Sequence, residues 1–348
     1  MSEIVIISFL FSIVLVVINF TLKKKDFLID DYKSGFHKIK KKKNVVGIGG
    51  FFLFFSFFFL VVYLKLPYSY LFLLLIFIIG ILSDLTILNS PKLRLTIQSL
   101  FVILKIFIFN LEINETRIDI IDYFINNKIF SFFFLACCLL VLINGANLID
   151  GLNGLSSGYF ILVLFTILNL FYKDEINLEP NYLGLFFFII PLFIFFLFNL
   201  FGINFLGDSG AYFIATITGY LTIEIAFQNI LNLSPIFISI LLWYPVFEIL
   251  FSFIRRTVSH DSQIIADKSH LHHLLYYFIS SKINYKNQTT INSLSSSIII
   301  LYNILIFMIS SQFLNNSVIL SSIIIFNVFI YTLVYFKLYT IIQDIKKN

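Results

Sequence analysis

Charge is what this sequence has least of: 12% of its 348 residues are Asp, Glu, Lys or Arg, while 59% are hydrophobic. So little polar surface cannot cover a water-soluble globule, which excludes a soluble protein. Cysteine is almost missing as well. Cys137 and Cys138 are adjacent in an apolar run, give neither a disulfide framework nor metal-ligand spacing, and read as small buried residues. The first apolar stretch, IVIISFLFSIVLVVINF, lacks a basic segment before it and a small-residue cleavage site after it. KKK follows instead, so a retained membrane span is expected there and not a signal peptide. There is no convincing internal repeat, which weighs against an inverted-repeat transporter.

What is present is a succession of apolar runs. With a mean hydropathy of +0.96, the chain is expected to be an all-α, polytopic integral membrane protein forming one multi-span domain over residues 1–348. Runs bounded by charge, Asn, Gly or Pro give about eleven transmembrane helices, at 4–21, 46–64, 69–82, 93–109, 130–143, 155–172, 182–198, 211–228, 234–254, 294–312 and 317–336. Alternate connections then lie on opposite sides. One side collects 19 Lys and Arg residues, nine of them between positions 22 and 45, and the other collects four. The positive-inside rule makes the first side cytoplasmic, with the N-terminus outside and the C-terminus inside. The KIKKKK run after His37 reads as an anchor on anionic lipid headgroups, each Lys contributing about 1 kcal/mol near the surface.

The polar connections are unequal in a second way. Every segment with Gly–Asp or His chemistry falls on the cytoplasmic side, as an active site built from several converging loops requires. In NFLGDSGAY, Asp208 stands between glycines that let a ligand approach the backbone, with no basic neighbour in sequence, so it is the best candidate metal ligand; the plainer alternative is a helix N-cap. In NGANLIDGLNGLSSG, Asn147, Asp150 and Asn153 recur every three residues among glycines, which can place them near one face of a helical turn for a nucleotide or phosphate; a glycine-rich linker is the alternative. Asp84 ends the third run and suits a second metal ligand or a base, while Lys92 and Arg94 could hold phosphate oxygens or act as positive-inside anchors.

Three of the five histidines, His270, His272 and His273, lie in DKSHLHHLL. On a regular helix His270 and His273 share a face and His272 turns away, which speaks against a three-His zinc site. HxHH also lacks the two-His-plus-Glu pattern of a helical metalloprotease. With Arg255 and Arg256 upstream and Lys268 adjacent, these imidazoles suit hydrogen bonds to phosphate or sugar oxygens, with a solvated loop as the alternative.

Taken in order, these segments resemble the polyprenyl-phosphate N-acetylhexosamine-1-phosphate transferases. The likeness runs from about His37 to His273 through H…GIGG, D…SPKLR…Q, NLIDGLNGL, FLGDSG, the Pro245 segment with Arg255 and Arg256, and DKSHLHHLL. It implies transfer of an N-acetylhexosamine 1-phosphate from a UDP-sugar to polyprenyl (undecaprenyl) phosphate, with release of UMP and Mg²⁺ as cofactor (Mn²⁺ as an alternative ion). The active site would face the cytoplasm at a bacterial cytoplasmic (inner) membrane. The product would start a cell-envelope glycan of O-antigen, enterobacterial-antigen or teichoic-acid type, a homodimer is compatible with the family, and no nucleic-acid partner is implied. By the resemblance Asp208 is a magnesium ligand, Asp84 an aspartate associated with catalysis or the lipid phosphate, Asn147 and Asp150 nucleotide contacts, and the HxHH loop that of the GlcNAc-type branch.

Three positions depart from the family pattern: Ser83 replaces one of paired aspartates, Asn153 stands where DGxDG has an aspartate, and Glu248 follows Pro245 where Asp is common. A mechanism needing two carboxylates at the third run is therefore not expected. Direct attack by the already ionised lipid phosphate is expected instead, with the ion and basic side chains neutralising the developing charge. A multi-span transporter or flippase, or a non-catalytic paralogue of the transferase, are the competing readings; a transporter would place ionisable residues along mid-span paths, where this chain has only Lys105, Glu224 and Glu248.

Overall fold

The computed structural model describes residues 47, 49–65, 70, 72–258, 269–283 and 287–347. The first expected span, His37, the lysine-rich stretch and Lys268 lie outside the described residues. The described chain is helical, without a strand: α1 (Gly49–Tyr63), α2 (Leu73–Asp84), α3 (Pro91–Phe109), α4 (Asp119–Ile125), α5 (Lys128–Ile149), α6 (Leu155–Tyr172), α7 (Pro180–Leu185), a 3₁₀ turn (Phe186–Phe188), α8 (Ile189–Leu200), α9 (Gly207–Gln228), α10 (Pro235–Leu241), α11 (Trp243–Val258), α12 (Leu271–Lys282), α13 (Gln288–Ser310) and α14 (Ser317–Lys347). Each expected span from 46–64 onward meets helix. Six helical stretches among the described residues are long and apolar enough to cross a membrane, one of them Leu183–Leu200 running from α7 through α8, and the bent α10–α11 pair makes seven if it counts as one. At 1.5 Å per residue, α1 and α2 reach only about 22 and 18 Å. Eleven full crossings are therefore not what the described helices amount to.

Starts and stops follow local chemistry. Ser90 caps α3 with Pro91 at its first position, Asn127 accepts from Ile129 N (2.9 Å) and Phe130 N (3.3 Å) at the start of α5, and Ser234 precedes Pro235 at the start of α10. Helix α9 is different, because Leu206 offers no side-chain cap.

Helix α9 is the most completely buried of the long helices, and α1, α2, α5 and α6 all pack on it. Aromatic rings lock three of them together. Phe54 of α1 stacks on Phe77 of α2 at 4.2 Å, and Phe213 of α9 meets Phe54 and Phe57 edge-on, each at 5.5 Å. Toward the far end, Lys105 of α3 is buried against the ring faces of Phe109 and Tyr220 (both 4.7 Å), within reach of the Glu224 charge. A lysine in an apolar bundle is thus accommodated locally, not along a path.

The expected straight span at 234–254 is broken, with α10 and α11 meeting at 74°. Pro245 is the reason. It has no N–H to give the carbonyl of Leu241, four residues back, and the Tyr159 hydroxyl donates to that oxygen instead (2.8 Å). Gly145 makes room for the bend, since a Cβ there would sit 2.7 Å from the Pro245 carbonyl carbon. Trp243, the only tryptophan in the chain, lies at the break and donates from Nε1 to Asn303 Oδ1 of α13 (2.8 Å). Cys137 and Cys138, expected to be buried, are both exposed on the outside of α5. In a helix whose whole circumference is apolar, sequence does not tell the packed face from the outward one.

Candidate functional site

The last residues of α2 and the first of α3 and α9 meet at one end of the bundle. Asp84 supplies the cap that α9 lacks: its carboxylate accepts from Asp208 N (2.7 Å), Ser209 N (3.1 Å) and Ser209 Oγ (2.6 Å). The capping alternative considered for Asp208 therefore belongs to Asp84. Gly207 at φ +74° completes the turn, and a side chain there would run into Asp84 Oδ2 at 2.8 Å.

With its backbone held from below, Asp208 is left to point elsewhere. Its Oδ2 accepts from Ser83 Oγ (2.5 Å) and from Arg94 Nη1 (2.6 Å), and that same Arg94 nitrogen also reaches Ser83 Oγ. Both side chains are about one-quarter exposed, so the pair sits at the rim of the bundle and not inside it. Oδ1 of Asp208 accepts no hydrogen bond from the described residues. Ser83, the residue that departs from paired aspartates, is a member of the cluster and not a blank. Lys92, two residues from Arg94, is exposed and joins no ion pair among the described residues.

The GIGG segment explains why the site is tight. Gly49 N and Gly50 N, opening α1, donate to Phe205 O and Leu206 O (3.1 Å each) in the turn just before α9. A Cβ on Gly50 would lie 2.6 Å from Gly210 N. These glycines serve helix approach.

The second segment is rearranged relative to expectation. Helix α5 ends at Ile149, and Asp150 is its C-cap, so Asn147, Asp150 and Asn153 do not share one helical face. Asn147 Nδ2 reaches the Tyr212 hydroxyl, one turn beyond Asp208, at 3.2 Å. Asp150 is half-buried on the turn. Asn153 is packed inside at 2% exposure, where its N–H donates to Asn292 Oδ1 (2.5 Å) and its carbonyl accepts from Ser296 Oγ (2.6 Å), tying the turn to α13.

The histidines depart most from the regular-helix expectation. His270 is not on the helix but is the extended residue before α12 (φ −72°, ψ 150°), and this brings all three rings together. His270 and His272 are parallel at 5.5 Å, and His272 and His273 lie 4.2 Å apart. Even so, no group of three His, Cys, Asp or Glu among the described residues is arranged to hold a metal ion. Gly151 packs directly against them, its Cβ position 2.7 Å from His272 Nε2, so the Asp150 turn covers three histidines that are all buried. Burial first, then the neighbouring His273 and His270, hold His272 well below the usual imidazole range, so it is neutral at pH 7 and offers one N–H.

Glu248 is a member that sequence reading noted only as a departure and as one of three ionisable residues within the spans. It is fully buried on α11, three residues past Pro245, and its Oε1 accepts from Leu271 N and faces His270 Nδ1, both at 3.2 Å, with Ser252 Oγ 3.0 Å from the same ring nitrogen. Its signal in the sequence was a carboxylate in an otherwise apolar helix. Glu248→Ala should lower stability by about 3 kcal/mol, because it strands a buried N–H and an imidazole, and Glu248→Gln should recover part of that. Thermal unfolding of the two variants in detergent checks this; equal melting of wild type and Glu248→Ala would contradict it. Arg255 and Arg256, half-buried in the last turn of α11, stand two turns beyond Glu248, with Arg255 over the ring of Tyr335 at 5.9 Å.

Residues 66–226 match glycosyl transferase family 4. A segment of 137 residues is 31% identical to a protein of Bacillus subtilis (strain 168) named "Probable undecaprenyl-phosphate N-acetylglucosaminyl 1-phosphate transferase", covering 39% of this chain and 37% of that relative. The matching part of the chain thus spans just over a third of the relative's length. The histidines, Glu248 and the arginines at 255 and 256 lie beyond the family match. Asp84, Arg94, Asn147 and Asp208 all lie within the segment that is similar to glycosyl transferase family 4.

Proposed function

We propose that this protein transfers N-acetylhexosamine 1-phosphate from a UDP-sugar to polyprenyl phosphate at the cytoplasmic face of a bacterial inner membrane, releasing UMP and starting a cell-envelope glycan. The observation that carries this reading is the half-buried Asp208–Arg94–Ser83 cluster at the rim of an apolar bundle, inside the family segment. Such a rim is where a lipid-borne phosphate and a water-borne nucleotide can meet. The name of the Bacillus relative points to the same acceptor.

Magnesium fits Asp208 better than it fits Asp84. Asp208 keeps Oδ1 outside its hydrogen bonds, whereas both oxygens of Asp84 are engaged with the first turn of α9. One carboxylate together with the donor's phosphate oxygens is an ordinary way to hold this ion. When bound, it would neutralise charge on the diphosphate. We read Asp84 as the group that sets Asp208 in place, and Arg94 as the side chain that draws a phosphate oxygen to the same spot.

The remaining residues bind and orient. Asn147, in the last turn of α5, and Asp150, on the turn that abuts the histidines, suit the nucleotide. His270, His272 and His273, with Arg255 and Arg256 nearby on α11, suit the diphosphate and sugar. Asn153 supports the turn from inside. No side-chain nucleophile is required: a lipid phosphate oxygen attacks the sugar-bearing phosphorus, its bond to the bridging oxygen breaks, and UMP leaves with that oxygen. The three ionisable residues of the spans all face local partners, which suits a fixed scaffold more than a transport path. The test is UMP release by the purified full chain with polyprenyl phosphate, Mg²⁺ and a panel of UDP-N-acetylhexosamines beginning with UDP-GlcNAc. No release with any donor would overturn the proposal.

A further inference from the structure

Arg94 does something at this site that a phosphate-binding arginine need not do: it already spends its charge on Asp208. Nη1 lies 2.6 Å from Asp208 Oδ2 and also contacts Ser83 Oγ, and Ser83 Oγ itself donates to the same carboxylate oxygen. The described contacts of Arg94 run through that one nitrogen, so this is an end-on pair and not the two-pronged clamp that guanidinium and carboxylate form when the pair is built to last. Three further features suit a contact made to be exchanged. The pair is partly exposed, so neither charge is trapped by desolvation when they separate. The backbone of Asp208 is fixed independently by Asp84, so losing Arg94 does not displace the carboxylate. Arg94 lies in the first turn of α3, four residues after the Ser90 cap, on a helix start that stays anchored while its side chain moves.

We propose that Arg94 and the divalent cation compete for Asp208, and that the donor's diphosphate resolves the competition by accepting Arg94. The inference rests on the transferase reading and deepens it. Without nucleotide, the guanidinium neutralises Asp208 and the cation binds weakly. With a nucleoside diphosphate present, the phosphate oxygens draw Arg94 off Oδ2, and Asp208 would then be free to hold the cation. Cation and donor therefore bind synergistically, each raising the affinity for the other by the same factor, with Arg94 as the coupling element. Ser83 matters because a hydroxyl can serve both partners: it donates to Asp208 while contacting Arg94, which a second carboxylate could not do without keeping Arg94 in place by charge.

The test is Mn²⁺ binding to the purified full chain in detergent, without nucleotide, followed by the electron paramagnetic resonance signal of free Mn²⁺. Arg94→Gln should bind Mn²⁺ about fivefold more tightly than wild type, since a competitor worth about 1 kcal/mol has been removed. Arg94→Lys, which retains the positive charge, should stay within about threefold of wild type, and each variant should melt close to wild type, which reports that the fold is kept. Addition of UDP, corrected for Mn²⁺ bound by UDP alone, should tighten Mn²⁺ binding to wild type and have much less effect on Arg94→Gln. Equal or weaker Mn²⁺ binding by Arg94→Gln, with Asp208→Asn abolishing binding, would overturn the competition while leaving the metal site standing. Absence of any Asp208-dependent Mn²⁺ binding, with or without UDP, would overturn both this inference and the metal assignment on which it rests.

Discussion

Replacing Asp208 by asparagine should lower UMP release by roughly 10² to 10³-fold while leaving the melting temperature close to that of wild type. The size follows from the proposed role of Asp208 as the carboxylate that would hold the divalent cation, since single electrostatic groups of an active site have effects of this order. The small change in stability follows from the site's construction. Asp208 is held through its backbone by Asp84, and an asparagine amide oxygen can still accept from Ser83 and Arg94, so only the charge is lost. The Asp208–Arg94 pair is also partly exposed, and pairs of that kind contribute about 1 kcal/mol or less. A steady-state assay beside a thermal melt separates the two effects. Retained turnover, or lost turnover accompanied by a collapsed melt, would remove Asp208 from the reaction centre.

A second large effect should come from a methyl group. Gly80 lies on α2, one turn before Asp84, and a Cβ there would stand 2.6 Å from Ser209 N and 3.0 Å from Asp208 C. Those atoms are backbone and cannot rotate away. On the other side, Gly50 faces the adjacent Gly210 N at 2.6 Å, so the start of α9 is gripped between two helices with no slack. Alanine for glycine inside a helix ordinarily stabilises by about 0.5–1 kcal/mol. Gly80→Ala should reverse that sign and cost about 3 kcal/mol, by prising α2 from α9 and pulling the Asp84 cap off Asp208 and Ser209. Gly47→Ala is the control, because nothing among the described residues lies within 4 Å of its Cβ position. Melting curves of the two variants decide the matter: equal midpoints would mean that the approach of α2 and α9 is looser than the packing implies.

How far the sequence disclosed this arrangement depends on the range of the contact. Helix positions were legible because apolar runs stop at Gly, Pro or charge; the run 155–172 coincides with α6. Pro245 was visible too, yet an unbroken span was expected, because the partner that makes a sharp bend tolerable is a hydroxyl 82 residues away in sequence from Leu241. Asp84 as the cap of α9 could not be read locally, since donor and acceptor are separated by 124 residues. Ser83 looked like a lost carboxylate, and only the folded chain reveals it between Asp208 and Arg94. The histidines were misjudged because regular helix geometry was applied one residue too early: His270 precedes α12 in extended backbone. What only the folded chain discloses is that these segments meet, Asn147 at the Tyr212 hydroxyl and Gly151 against His272.

Having one tryptophan, the protein carries a built-in optical probe at an informative place. Trp243 sits on the corner between α10 and α11, its indole N–H bound to Asn303, and α11 leads within one and a half turns to Glu248, which holds His270. Excited beyond the absorption of its 18 tyrosines, the unlabelled protein therefore emits from a single corner, without a background from other indoles. A ligand that shifts the histidine loop acts on the same helix that carries the emitter, so occupancy can be followed by the wavelength of the protein's own light.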